Sequence, residues 1–222
     1  MLSHHKESFD ALADPVAQLL LKAHVRPNHL TMAGFGVSVL AAHALASGRL
    51  RSGAALLALA GLFDFFDGAL ARAAQRVTPF GAFLDSVVDR YSDMVALFGV
   101  LFLYHRLGDL MGASLTMLAL AGTVMVSYTK ARAQSVGVDC QIGLMERPER
   151  LIVLIAGAAF GLLTPAMAVL AVFANLTALQ RIWHTRRAIS APPPEPGEEL
   201  ASALPPVPPP EPLRTRLLYR RR

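Results

Sequence analysis

The sequence predicts an all-α integral membrane protein, with six transmembrane helices preceded by an N-terminal interfacial amphipathic helix. Three observations carry this. Of the 222 residues, 54% are hydrophobic and 17% charged, and mean hydropathy is +0.43, a balance that soluble domains do not show. Apolar runs long enough to cross a bilayer recur along the chain, separated by short breaks holding Pro, Gly or charged residues. Lys and Arg collect in alternate breaks, as the positive-inside rule requires. Those basic breaks and an Arg-rich end account for the net charge of +5, so no nucleic-acid partner is expected. Cys140 is the single cysteine, which excludes an internal disulfide and a cysteine-based metal cluster.

Taken in order, residues 1–26 read as the interfacial helix: Phe9, Leu12, Val16, Leu19 and Leu20 fall at helical spacing, while Lys6, Glu7, Asp10 and Asp14 prevent spanning. The segment lacks the apolar core of a signal peptide. Pro27-Asn28 breaks the pattern. Spans follow at about 29–47, 53–74, 80–104, 111–130, 149–163 and 165–183, each judged against roughly 20 residues per crossing. One side of these spans holds Lys22, Arg26, Arg72, Arg76, Lys130, Arg132, Arg147, Arg150, Arg181, Arg186 and Arg187; the other holds Arg49, Arg51 and Arg106. The richer side is expected to be cytoplasmic, in the inner membrane, with both termini inside. Residues 27–187 form the spanning domain, and 188–222 a Pro-rich tail that cannot bury a core and is expected to be disordered. Its terminal arginines could touch anionic lipid.

The chemistry lies in Asp64-Phe-Phe-Asp67-Gly68-Ala-Leu-Ala71-Arg72 and Gly81-Ala-Phe-Leu-Asp85-Ser-Val-Val-Asp89. Residues three or four apart share a helix face, so each span presents a pair of carboxylates. Uncompensated, each would cost about 2.5–3.5 kcal/mol near the bilayer centre, and such acids mark function. Two facing pairs make an oxygen-only cage for hard divalent cations. Two ions about 3.5–4 Å apart would clamp a phosphorus centre undergoing in-line displacement, and one carboxylate would accept the attacking hydroxyl's proton. Gly68 permits close approach of a bulky ligand to the backbone, and Arg72, four residues on, can neutralise phosphate.

The spacing D-x2-D-G-x2-A-R-x8-G-x3-D-x3-D, filled by Asp64, Asp67, Gly68, Ala71, Arg72, Gly81, Asp85 and Asp89, resembles the signature of the CDP-alcohol phosphatidyltransferases without a departure. The resemblance implies a six-helix membrane fold, a homodimer, and a site for two Mg²⁺ or Mn²⁺ ions held by Asp64, Asp67, Asp85 and Asp89, with Asp89 also the catalytic proton acceptor. It implies that the CDP-lipid is held by Gly68 and Arg72, and by Asn28, Thr31 and Thr78.

A second stretch bears on the acceptor alcohol. Ser127-Tyr-Thr-Lys130-Ala-Arg132-Ala and Glu146-Arg147-Pro-Glu149-Arg150-Leu resemble the corresponding strings of bacterial phosphatidylinositol phosphate synthases. The run from Leu84 to Asp93 resembles the same subfamily and its archaeal ether-lipid relatives. By that resemblance Lys130 and Arg150 hold an acceptor phosphate, with Arg181 as third member. Cations beside an acid box suit a phosphorylated alcohol. The expected reaction transfers a phosphatidyl group from CDP-diacylglycerol to inositol phosphate and releases CMP. Glycerol 3-phosphate is the alternative acceptor, since it also carries a phosphate. A cation transporter is a reading from another class; the chain lacks paired broken helices in corresponding halves, and Arg72 would repel its cargo. A lipid-binding module without turnover sits poorly with the full set of acids.

The remaining polar residues receive plainer readings. Asp93 continues the i+4 ladder from Asp89 and is read as a partner of the ligands rather than a fifth ligand. Arg132, Arg147, Arg186 and Arg187 are read as ordinary loop cations, Glu146 and Glu149 as partners of nearby arginines, His29 and His43 as helix-end or packing residues, and Cys140 as inert.

Overall fold

The computed structural model describes residues 18–22, 26–74 and 78–190. Most of the expected interfacial helix, and the tail from 191 onward, lie outside these residues; 18–22 are helical. Among the described residues the regular structure is entirely helical: α1 Pro27–Ala46, α2 Leu50–Ala73, α3 Pro79–Leu107, α4 Leu110–Ser135, α5 Arg147–Ala159 and α6 Leu163–Ser190.

Local sequence sets the ends of these helices. Pro27, Pro79 and Pro148 sit in first turns, where a missing N–H costs nothing. Thr78 Oγ1 accepts from the Gly81 N–H at 3.0 Å, and Asp109 Oδ1 accepts from Gly112 N–H at 2.9 Å, so α3 and α4 are side-chain capped. Gly108 ends α3 with φ 68°, a left-handed cap that suits glycine. The break between the last two helices falls at 160–162, around Gly161 with φ 72°, and not at Leu163-Thr164-Pro165 as expected. Pro165 is accommodated in the first turn of α6, where its ring needs no donor.

Four helices, Pro27–Ala46, Leu50–Ala73, Leu110–Ser135 and Leu163–Ser190, are long and apolar enough to cross a membrane. They present Leu40, Leu118, Phe173 and Leu179 outward, as lipid-facing surfaces do. This is a multi-pass membrane protein. The chain runs up and down: Arg106 near the end of α3 donates to the carbonyl of Ala46 at the end of α1 at 2.8 Å, and the α1–α2 turn lines a common pocket with residues 158–161. The opposite end gathers the start of α1, the end of α2 and the start of α3.

Apolar contact joins the bundle through Leu45, Leu57, Val100, Leu154, Met167 and Leu170, among others. Small residues let the backbones approach, as is usual where lipid removes the hydrophobic drive between helices. At Gly99, a Cβ would overlap the backbone of Ala42, so α1 and α3 are in backbone contact there. Gly99→Ala is therefore expected to destabilise the fold by about 1–3 kcal/mol through overpacking, read as a lower midpoint of thermal unfolding in detergent.

Candidate active site

Asp64 and Asp67 lie on the last turns of α2, and Asp85 and Asp89 on the first turns of α3, and the ends of these two helices bring the acids together. Asp64, Asp67 and Asp85 each offer an oxygen within 4.8 Å of the others. Asp85 Oδ1 is buried without a hydrogen-bond partner. An oxygen-only trio with an orphaned buried acceptor fits a hard divalent cation. Asp67, itself buried, is oriented by Thr31, whose hydroxyl donates to Asp67 Oδ2 at 2.7 Å. Asp89 lies next to the trio, in contact with Asp64, and an arginine ties the two together.

That arginine is Arg147. Its Nη1 is 2.5 Å from Asp64 Oδ2, its Nη2 3.1 Å from Asp89 Oδ1, and its Nε 3.6 Å from Asp93 Oδ1. The sequence reading left Arg147 among ordinary loop cations; the structure places it across the acid row. The missed signal was its spacing of three from Arg150 in the first turn of α5, which puts both on one face. Arg150 Nη2 binds Asp93 Oδ2 at 2.8 Å, and its Nη1 donates to the Met145 carbonyl at 3.0 Å. Asp93 thus partners two arginines.

Two cavities meet at this row. One, of about 580 Å³, is lined by Asp67 and Asp85 and by all five residues expected to hold the CDP-lipid: Asn28, Thr31, Gly68, Arg72 and Thr78. At Gly81, also in the lining, a Cβ would stand 3.0 Å from Thr78 Oγ1 and 3.6 Å from Asn28 Oδ1, so only glycine leaves this corner open. The other cavity, of about 260 Å³, is lined by Asp89, Asp93, Lys130, Arg147, Arg150 and Arg181, with Arg90 and Ser127. Arg181 is almost fully buried, and its Nε and Nη1 donate to the carbonyls of Ile142 at 2.8 Å and Val126 at 2.7 Å. It fastens the loop before α5 to α4 as well as lining the cleft.

Glu146 lies 3.4 Å from Arg181, in line with its expected pairing. Glu149 departs from its reading. Its Oε2 is buried without a hydrogen-bond partner, while Arg150 binds Asp93. It stays in the first turn of α5, where the helix dipole favours an acid. Cys140 is buried, and His29 and His43 are exposed.

An up-and-down membrane bundle thus places an acid row suited to divalent cations between a large cavity and a cationic cleft. The comparisons with known proteins make the class specific. The CDP-alcohol phosphatidyltransferase pattern matches residues 24–184, and the chain belongs to that family. It is 38% identical over 188 residues to an archaetidylinositol phosphate synthase of Methanothermobacter thermautotrophicus, covering 82% of this chain and 92% of that protein. It is 37% identical to a phosphatidylinositol phosphate synthase of Mycobacteroides abscessus, covering 82% and 86%. The crystal structure of Mycobacterium tuberculosis phosphatidylinositol phosphate synthase with CDP-DAG bound superposes with TM-score 0.74 at 33% identity, over 79% of this chain and 94% of that one. A second structure of that enzyme, in complex with manganese and citrate, gives 0.72 over 78% and 88%.

Thr31 supports a ligand and also lines the larger cavity. Thr31→Val is expected to weaken Mn²⁺ binding about tenfold or more, the usual effect of removing a ligand's supporting hydrogen bond. Titration of the purified protein followed by electron paramagnetic resonance would measure it.

Proposed function

We propose that this protein transfers a phosphatidyl group from a CDP-activated diacyl lipid to a phosphorylated inositol, releasing CMP. One observation carries the reading: the acid row separates a cavity lined by every expected CDP-lipid residue from a cleft lined by every expected acceptor-phosphate residue. The names of the relatives above support the same acceptor.

In the proposed reaction the nucleotide end of the donor lies among Asn28, Thr31, Gly68, Arg72 and Thr78, and its phosphates approach Asp67 and Asp85. Asp64, Asp67, Asp85 and Asp89 would hold two divalent cations, Mg²⁺ or Mn²⁺, which supply Lewis-acid stabilisation of charge building on phosphate. Lys130, Arg150 and Arg181 receive the acceptor's phosphate. Lys130 is half-buried in the cleft, and its ammonium is a rotatable donor suited to a tetrahedral oxyanion. Asp89 takes the proton from the acceptor hydroxyl, which attacks the lipid-side phosphorus as CMP leaves. Asp89 lies on α3 one turn beyond Asp85, on the same helix face; at that level the base lines the acceptor cleft, while Asp85 lines the donor cavity.

The same reading has all six helices crossing the inner membrane, with the site opening to the cytoplasm, and two copies forming a homodimer. Helix α5 has 13 residues, about 20 Å of rise, against a hydrocarbon core of roughly 30 Å. It completes its crossing only together with the loop before it, which leaves Arg147 and the acids below the cytoplasmic boundary.

Release of labelled CMP in the presence of inositol 1-phosphate, but not with glycerol 3-phosphate, is the expected result. Turnover with glycerol 3-phosphate alone would sink the inositol assignment. Asp89→Asn is expected to lower kcat by about 10²–10⁴-fold, the usual range for a lost general base, with its thermal unfolding midpoint retained. Lys130→Met is expected to raise KM for the acceptor while leaving KM for the CDP-lipid unchanged in the same assay.

A further inference from the structure

Behind the acceptor cleft lies a third, narrow cavity of about 30 Å³, whose polar lining is Ser38, Ser92, Asp93, Thr123, Arg147 and Arg150 and whose remaining walls are apolar. Three of its polar atoms, Thr123 Oγ1, Arg147 Nε and Arg150 Nε, are buried and have no hydrogen-bond partner in the protein. Thr123 is 4% exposed and Arg150 6%.

Thr123 is unlike the other buried threonines of the bundle. Thr116, Thr129 and Thr177 each return their hydroxyl to the carbonyl four residues earlier, at 2.7, 2.8 and 2.8 Å, the usual solution for a helical threonine. Thr123 lines the cavity without such a bond. Leaving a buried donor or acceptor unmade costs about 1–3 kcal/mol each, so three orphans around one small space need a common partner. Asp93 is not that partner for Arg147, because the Nε–Oδ1 separation of 3.6 Å exceeds a hydrogen bond. The space suits one or two waters, since a cavity needs roughly 10–15 Å³ and two to four polar neighbours to hold one. A water also has the matching inventory. Its two lone pairs serve two N–H donors, and its two protons serve Thr123 Oγ1 and the Asp93 carboxylate.

We propose that a structural water bound by Thr123, Arg147 and Arg150 holds the two guanidinium groups in register. One then spans the acid row while the other faces the acceptor cleft, and Thr123 is a positioning residue for the acceptor. Removing the hydroxyl leaves the donor cavity untouched, because Thr123 lies on α4 and the donor residues lie on or beside α1, α2 and α3. The kinetic consequence rests on the acceptor assignment proposed above; the water itself does not.

The test uses the full-length protein in lipid nanodiscs, with Thr123→Val as an isosteric replacement and Thr123→Ser as the conservative one. Thr123→Val is expected to raise KM for inositol 1-phosphate about three- to tenfold, as for one lost hydrogen bond, with KM for the CDP-lipid unchanged. Thr123→Ser should restore the wild-type KM. An unchanged acceptor KM, or equal shifts in both KM values, overturns the positioning role. If the wild-type protein releases no CMP with inositol 1-phosphate, the acceptor assignment fails separately, and a map of the wild-type and Thr123→Val proteins decides the water. Density between Thr123 Oγ1 and the two Nε atoms, lost in the variant, supports it; an empty cavity in the wild type overturns it.

Discussion

Carboxylates inside an apolar bundle persist only beside compensating positive charge, and this requirement organises the protein. Asp64, Asp67, Asp85, Asp89 and Asp93 occupy the facing turns of α2 and α3. Arg147 reaches three of them and Arg150 anchors the last. The first turn of α5 therefore meets the α2–α3 pair, with Pro148 in that turn. Small residues serve the same end. Gly99 brings α1 into backbone contact with α3, and at Gly34 a Cβ would stand 3.0 Å from the Phe63 Cβ of α2, one turn from where Thr31 of α1 reaches Asp67 of α2.

Separation of labour follows from helix periodicity. Asp85 lines the larger cavity and Asp89 the cationic cleft, although the two are one turn apart on α3. One face of the helix thus lines both spaces, at successive turns. The larger space is bounded by α1, α2 and the start of α3; the cleft needs α4, α5 and α6 as well. On the proposed reading, variation in the last three helices alters the acceptor while the first three keep the donor.

Much of this was legible in the sequence, for identifiable reasons. Intramembrane acids at three- and four-residue spacing are rare enough to announce a shared face, and all five expected donor residues line one cavity. Lys130, Arg150 and Arg181 line a second one. Arg147 was misread because the positive-inside rule explains any arginine near a helix end, and only tertiary contact distinguishes a solvated one from one drawn into an acid row. Glu149 was misread for the complementary reason: its neighbour Arg150 already had a stronger claim on Asp93. The break before α6 was displaced because Pro165 can open a helix as readily as end one.

The placement of the two cavities at successive levels along one face of α3 carries a stereochemical implication for the proposed reaction. An alcohol arriving from the cleft meets phosphorus on the side away from the departing nucleotide, so a single displacement would invert the configuration of a chirally labelled phosphate. A double displacement through a phosphorylated side chain would retain it.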